Sequence, residues 1–121
     1  MPEAVYPILG SRDVPRSIKF YTQKLGFVVD FSDGGDNPNY LGFRRKYAVI
    51  HMQFQSGEEF AQTRLRFKTR LDEIDSLHAE FLANQVEITA TGLRDTDWGT
   101  REFALWDPDG NALTFYAERG H

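Results

Sequence analysis

The order in which structural signals recur along these 121 residues constrains the fold more than any single motif does. Asp13 is placed to cap a helix whose buried stripe is Val14, Ile18, Tyr21 and Leu25, with Pro15 tolerated in its first turn and Gly26 as its terminator. Asp72 stands in the same relation to Ile74, Leu77 and Phe81. Each stripe follows a segment that reads as a strand (the short apolar Ala4 to Gly10; Leu65 to Leu71), with Pro7 marking an edge or a bulge in the first. Each is followed by another strand (Phe27 to Phe31; Val86 to Thr91), a polar loop (Ser32 to Asn39; Gly92 to Asp97) and two alternating strands. Both halves therefore read strand, helix, strand, strand, strand. A half of about 55 residues is too small to bury a curved sheet alone, so it must pack on its twin or on another chain. The expected fold class is α+β: two βαβββ modules, about 1–56 and 62–121, joined by the polar stretch Ser56 to Ala61. Their curved mixed sheets would form a cavity with the helices outside, the whole of 1–121 making a single domain.

The last pair of strands is the most sharply written. Tyr40 to Phe43 and Tyr47 to Phe54 are joined by a basic turn, Arg44-Arg45-Lys46, whereas Arg101 to Trp106 and Ala112 to Tyr116 flank Asp107-Pro108-Asp109-Gly110-Asn111. Pro108 presets a turn φ, Gly110 supplies a positive one, and the Asp and Asn side chains bond local backbone. The alternation sets Glu102 and Trp106 on one face and Arg101, Phe103 and Leu105 on the other. Which of the two faces lines a cavity is left open by one strand.

Composition removes several function classes. There is no cysteine, so disulfides, thiolate metal sites and cysteine nucleophiles are excluded. A net charge of −4 argues against a nucleic-acid partner. The first residues lack a signal-peptide pattern and no apolar run reaches membrane-spanning length, so a cytoplasmic protein without a membrane partner is expected. No Gly-x-Ser-x-Gly elbow and no His-Glu-x-x-His is present, and Gly34-Gly35 is not followed by a helical pattern that would make a phosphate site.

Ser11-Arg12-Asp13-Val14-Pro15-Arg16-Ser17-Ile18-Lys19-Phe20-Tyr21, Leu25-Gly26-Phe27, Leu71 to Leu77, and Trp98-Gly99 with Arg101-Glu102-Phe103-Ala104-Leu105 and Asp107-Pro108 with Gly110-Asn111 resemble the glyoxalase/bleomycin-resistance/dioxygenase group, the vicinal oxygen chelate superfamily. The run from Trp98 looks most like the bleomycin-resistance proteins, with Thr100 as an extra residue between Gly99 and Arg101. The resemblance implies paired βαβββ modules and an intertwined homodimer whose halves build each cavity. Its enzymes hold a divalent metal on four inward-facing strand positions, which fall near Tyr6, His51, Arg66 and Thr114. Only His51 is a good ligand, and Arg66 would repel a cation. Metal and cofactor are therefore expected to be absent, unless a shifted register brings in Glu102 or Glu118.

The expected activity is non-catalytic sequestration of an aromatic, cationic, bleomycin-like antibiotic in a dimer-interface cavity. The expected ligand-binding residues are Trp98, Tyr40, Phe43, His51, Glu102 and Trp106. Trp98 would stack on a planar ligand or else cover a sheet edge. Tyr40 and Phe43 sit where related binders carry aromatic groups, or else they are core. His51 is a pocket histidine or a metal ligand, while His78 reads as surface and His121 is terminal. Acidic loop residues such as Asp33, Asp36, Glu58 and Asp97 would steer a cation. Arg64, Arg66, Lys68 and Arg70 read as a solvated face; on a cavity wall they would favour an anionic ligand instead. The alternatives are a metal-dependent lyase, thioltransferase or dioxygenase of the same superfamily, and a binder of an unrelated small molecule.

Overall fold

The computed structural model describes residues 3–120. His121 lies outside them. The chain divides into two compact units at Thr63/Arg64.

In the first unit, strand β1 (Ile8–Ser11) leads into helix α1 (Val14–Lys19), and β2 (Val28–Ser32), β3 (Tyr40–Arg45) and β4 (Ala48–Phe54) follow. The sheet order is β1-β4-β3-β2, with β1 parallel to β4 and the other pairs antiparallel. Pro7 lies just before β1 and its carbonyl still accepts from the His51 amide, so a residue without an N–H costs the ladder nothing there. Asp13 caps α1, its carboxylate accepting from the Arg16 amide at 3.2 Å. The helix runs on into a π-helical turn, Phe20–Lys24, and ends at Gly26 with φ 76°. That turn carries Tyr21 into the core, stacked on Phe43 at 5.0 Å and edge-on to Phe27 at 5.8 Å. Leu9, Leu41, Ile50 and Met52 complete the buried side of this sheet.

The second unit repeats the plan with β5 (Arg64–Lys68), α2 (Leu71–Ala83), β6 (Arg94–Asp95), β7 (Thr100–Trp106) and β8 (Ala112–Glu118). Its order is β5-β8-β7-β6, with β5 parallel to β8. Phe81 packs edge-on to Phe103 and Phe115, which stack on each other at 5.5 Å. Ile74, Leu77, Leu105 and Leu113 close the same core, each worth about 1.5–3 kcal/mol when fully buried. The β7–β8 turn is the one the sequence implies. Gly110 has φ 85°, and the Asp107 carboxylate accepts from the amides of Asp109 and Asn111, each at 2.9 Å.

Two expectations are corrected. Asp72 does not cap α2: the N-cap is Arg70, without a side-chain cap bond, and Asp72 sits in the first turn paired to the Arg70 guanidinium at 2.8 Å. Its charge there still complements the helix dipole. Val86 to Thr91 is not a continuous strand. Only Ile88 bridges to Leu105, because the chain turns at Thr89 to Gly92 (φ 63°), and the edge strand is the later pair Arg94–Asp95.

One irregularity sets which residues face where. Strict alternation would put Phe27, Val29 and Phe31 on one side of β2. Val29 pairs with Phe43, but Phe31 and not Asp30 pairs with Gly42, so Asp30 is an extra residue in a bulge. Phe31 is thereby turned to the side of the sheet away from α1. Gly42 has no side chain to obstruct it; a Cβ there would collide with the Phe31 ring.

Candidate functional site

Within each unit the helix covers one face of the sheet and leaves the other uncovered. The uncovered face of the first sheet carries Ile8, Phe31, Tyr40, Gly42, Val49 and His51, fixed by the registers Ile8↔His51, Gly42↔His51 and Phe31↔Gly42. His51 is its hub. Tyr40 Oη lies 2.8 Å from His51 Nδ1. Tyr6 stacks on the imidazole at 5.1 Å and Phe31 meets it edge-on at 5.1 Å.

The uncovered face of the second sheet is charged. Arg64, Arg66 and Lys68 alternate with the partly buried Leu65 and Phe67, so the basic row shares its face with Thr100, Glu102, Trp106, Thr114 and Tyr116. Its side chains are exposed, as a solvated face requires, but they stand beside the candidate binding residues. Arg66 donates to Glu102 at 3.2 Å and lies over the Tyr116 ring at 4.2 Å. Lys68 pairs with Glu118 at 3.5 Å.

Glu102 is nearly buried and receives the Thr100 hydroxyl at 2.7 Å. Burial is the largest influence on its carboxyl and pushes the pKa up. Hydrogen bonds from Thr100 and Arg66, the Arg66 charge and the Trp98 indole N–H together outweigh it. The carboxyl is thus held below its ordinary value and stays ionised at neutral pH.

Trp98 is in the turn between β6 and β7 and is 60% exposed. Its backbone is fixed by Thr96, whose amide donates to the Thr100 carbonyl at 2.8 Å, by Gly99 at φ 89°, and by the Arg119 amide, which bonds the Gly99 carbonyl at 3.0 Å. Arg94 stands over its ring at 5.5 Å. On the other side of the sheet, Arg101 ties β6 and α2 to β7 through Asp95 (3.1 Å) and Asp75 (2.7 Å).

The six residues singled out from sequence are divided between the two units. Tyr40 and His51 meet on the first face, and Glu102, Trp98 and Trp106 belong to the second unit, with Trp106 half exposed at the end of β7. Phe43 is not among them: it faces α1, fully buried against Tyr21 and Phe27. Sequence reasoning did not single out Phe31 or Tyr6 as surface groups; only the bulge and the ring contacts expose them.

The superfamily's metal positions do not assemble a donor set. Arg66 pairs with Thr114 across the parallel ladder, and Tyr6 stacks on His51 instead of presenting a ligand atom beside it. Glu102 and Glu118 are engaged by Arg66 and Lys68. Among the described residues no group of three or more His, Cys, Asp or Glu side chains is arranged to hold an ion. A divalent ion needs about three such donors, so these residues do not fit one.

The model of the Glyoxalase/Bleomycin resistance protein/Dioxygenase superfamily matches residues 5–115. The chain belongs to that superfamily. A bleomycin resistance protein of Geobacillus stearothermophilus is 25% identical, the match covering 93% of this chain and 94% of the relative. Among solved structures, the bleomycin-binding protein of bleomycin-producing Streptomyces verticillus, complexed with copper(II)-bleomycin, superposes with a TM-score of 0.75 at 27% identity over 100% of both chains. TioX from Micromonospora sp. ML1 shares the fold at a TM-score of 0.78 and 14% identity, over 95% of this chain and 99% of its own. These likenesses fit the α+β architecture of paired mixed sheets. No helix among the described residues is long and apolar enough to cross a membrane.

Proposed function

We propose that this superfamily member is a non-catalytic binding protein that sequesters an aromatic, cationic antibiotic of the bleomycin type, as a cytoplasmic homodimer with the ligand in an interface cavity. The observation that carries the reading is Trp98. Its ring is largely open to solvent, yet its indole N–H is bonded to an ionised, nearly buried Glu102. An aromatic surface that is exposed and already oriented loses little freedom when a planar group stacks on it, and such stacking is worth about 1–3 kcal/mol per ring. Relatives called bleomycin resistance and bleomycin-binding proteins support the ligand class. The half-exposed Val28, Val29 and Trp106 give a second chain apolar surface to cover. Binding of this kind rests on stacking and hydrogen bonds and breaks no covalent bond.

Isothermal titration with metal-free and copper(II)-bleomycin, with recovery of unaltered ligand, tests the reading. Saturable binding at micromolar ligand is expected, and no heat at that concentration would overturn it. Light scattering on the eluted protein tests the dimer. A second reading follows from the exposed row Arg64, Arg66 and Lys68 on the face that carries Glu102, because guanidinium and ammonium N–H groups suit a carboxylate or sulfate. That reading makes the ligand an anionic aromatic compound. Binding that weakens steeply with salt, and more for a carboxylate-bearing aromatic than for bleomycin, would favour it.

A further inference from the structure

We propose that the uncovered face of the first sheet is an aromatic subsite, in which His51, oriented by Tyr40, donates a hydrogen bond to the edge of a planar heteroaromatic group that carries an acceptor. It rests on the reading above that the protein binds planar ligands, and it adds a second contact point of different chemistry from Trp98.

The subsite is built and not incidental. A bulge residue, Asp30, is spent to turn Phe31 onto this face, and a glycine, Gly42, leaves room for its ring. Phe31 meets the His51 ring at 85° and Tyr6 stacks on it at 23°, so the imidazole is held on more than one side. The Tyr40 hydroxyl fixes what remains. A phenol O–H is a stronger donor than a neutral imidazole N–H, so at 2.8 Å it donates to Nδ1 and the ring proton resides on Nε2. Among the described residues no partner for Nε2 is found, and no buried side-chain polar atom is left without one, so Nε2 is open to solvent. What it offers is a single N–H of fixed direction beside the half-exposed rings of Tyr6 and Phe31.

None of these four side chains is a carboxylate, lysine or arginine, so the subsite selects on shape and on one acceptor atom: a ring nitrogen or an amide carbonyl conjugated to the ring. The group inserted would lie along the Tyr6 and Phe31 rings with its acceptor toward Nε2. Because the donor is already oriented, little ordering accompanies binding.

Long-range nitrogen–proton NMR on protein labelled at its three histidines reads the tautomer directly. Wild type is expected to show His51 protonated on Nε2, and Tyr40→Phe a mixture of tautomers. Titration with quinoline-3-carboxamide should move the His51 Nε2 resonance. His51→Phe, which keeps a flat ring, should weaken the fragment by roughly 3- to 10-fold, the scale of one neutral hydrogen bond. A Nδ1–H tautomer in wild type overturns the proposal, as does a His51 signal unmoved by millimolar fragment. Circular dichroism confirms that each variant is folded. Bleomycin that binds wild type and His51→Phe equally would remove the subsite and leave the antibiotic reading standing. A fragment that moves His51 in a protein to which bleomycin does not bind would do the reverse.

Discussion

Arg66 Nη2 and Glu102 Oε2 meet at 3.2 Å across the second sheet, one side chain half exposed and the other nearly buried. The asymmetry defines the pair. Arg66 retains solvent on its outer edge while its flat face covers Tyr116, and Glu102 is left with only donors around it. A carboxylate so placed is a fixed anchor for its neighbours.

Replacing that anchor by Glu102→Gln should cost about 1.5–3 kcal/mol at neutral pH, the range for a hydrogen-bonded charged group. The sign of the pH dependence follows from the depressed pKa. The contribution of Glu102 is complete above its ordinary value of about 4.5 and is lost as pH falls through its lower folded-state value. Urea denaturation of both proteins from pH 7 to pH 3 should therefore show a gap that narrows below about 4.5. A gap that widens on acidification contradicts the assignment.

Trp98→Ala should lower the unfolding midpoint only modestly, because the ring is 60% exposed and Glu102 keeps Thr100 and Arg66 as donors. Affinity for bleomycin is expected to fall by about 10- to 100-fold, in keeping with the loss of one stacked ring. Trp98→Phe should retain part of the affinity by keeping a ring face while losing the bond to Glu102. Titration calorimetry of the two variants separates ring stacking from ring orientation.

Gly42→Ala tests the aromatic face of the first sheet without entering the core, whose neighbours Leu41 and Phe43 point to the other side. The added methyl must displace the Phe31 ring, at a cost on the order of 1–3 kcal/mol for overpacking. Ring-current shifts at His51 and Tyr40 should change while those of Tyr21 and Phe27 persist. If the shifts at His51 do not move, the packing of Phe31 over Gly42 is not as described.

Asp107→Ala removes the carboxylate that holds the amides of Asp109 and Asn111 and the Asn111 side chain. Those donors are buried, so a loss of about 1–3 kcal/mol is expected by thermal or urea unfolding. Asp107→Asn should recover part of it, since one acceptor oxygen remains.

The repeating order of elements was legible because helix and strand periods differ and because Gly26 and Gly110 stand where positive φ is needed. Asp13 was legible as a cap because its side chain acts within its own turn. Asp72 was not, because Arg70 two residues earlier takes its carboxylate. The strand expected over Val86 to Thr91 failed at the turn closed by Gly92, which no periodicity announces. Phase along β7 correctly separated Glu102 and Trp106 from Phe103 and Leu105, but the helix-bearing side emerges only from the packing of α2. The choice for Phe43 between ligand contact and core stayed open in the sequence for the same reason, and the packing on Tyr21 and Phe27 decides it for core. A strand shows alternation, and alternation carries no sign.

The extra residue at Asp30 gives chain length a meaning that residue identity lacks. Every side chain from Val28 to Ser32 can be exchanged for another, and each will still point where its predecessor did. Removing one codon would instead swap wall for interior, drawing the Phe31 ring toward the helix and emptying the space over Gly42. In this family member the surface offered to a ligand is thus encoded partly by counting, and insertions or deletions would reshape it by a route that substitutions do not reach.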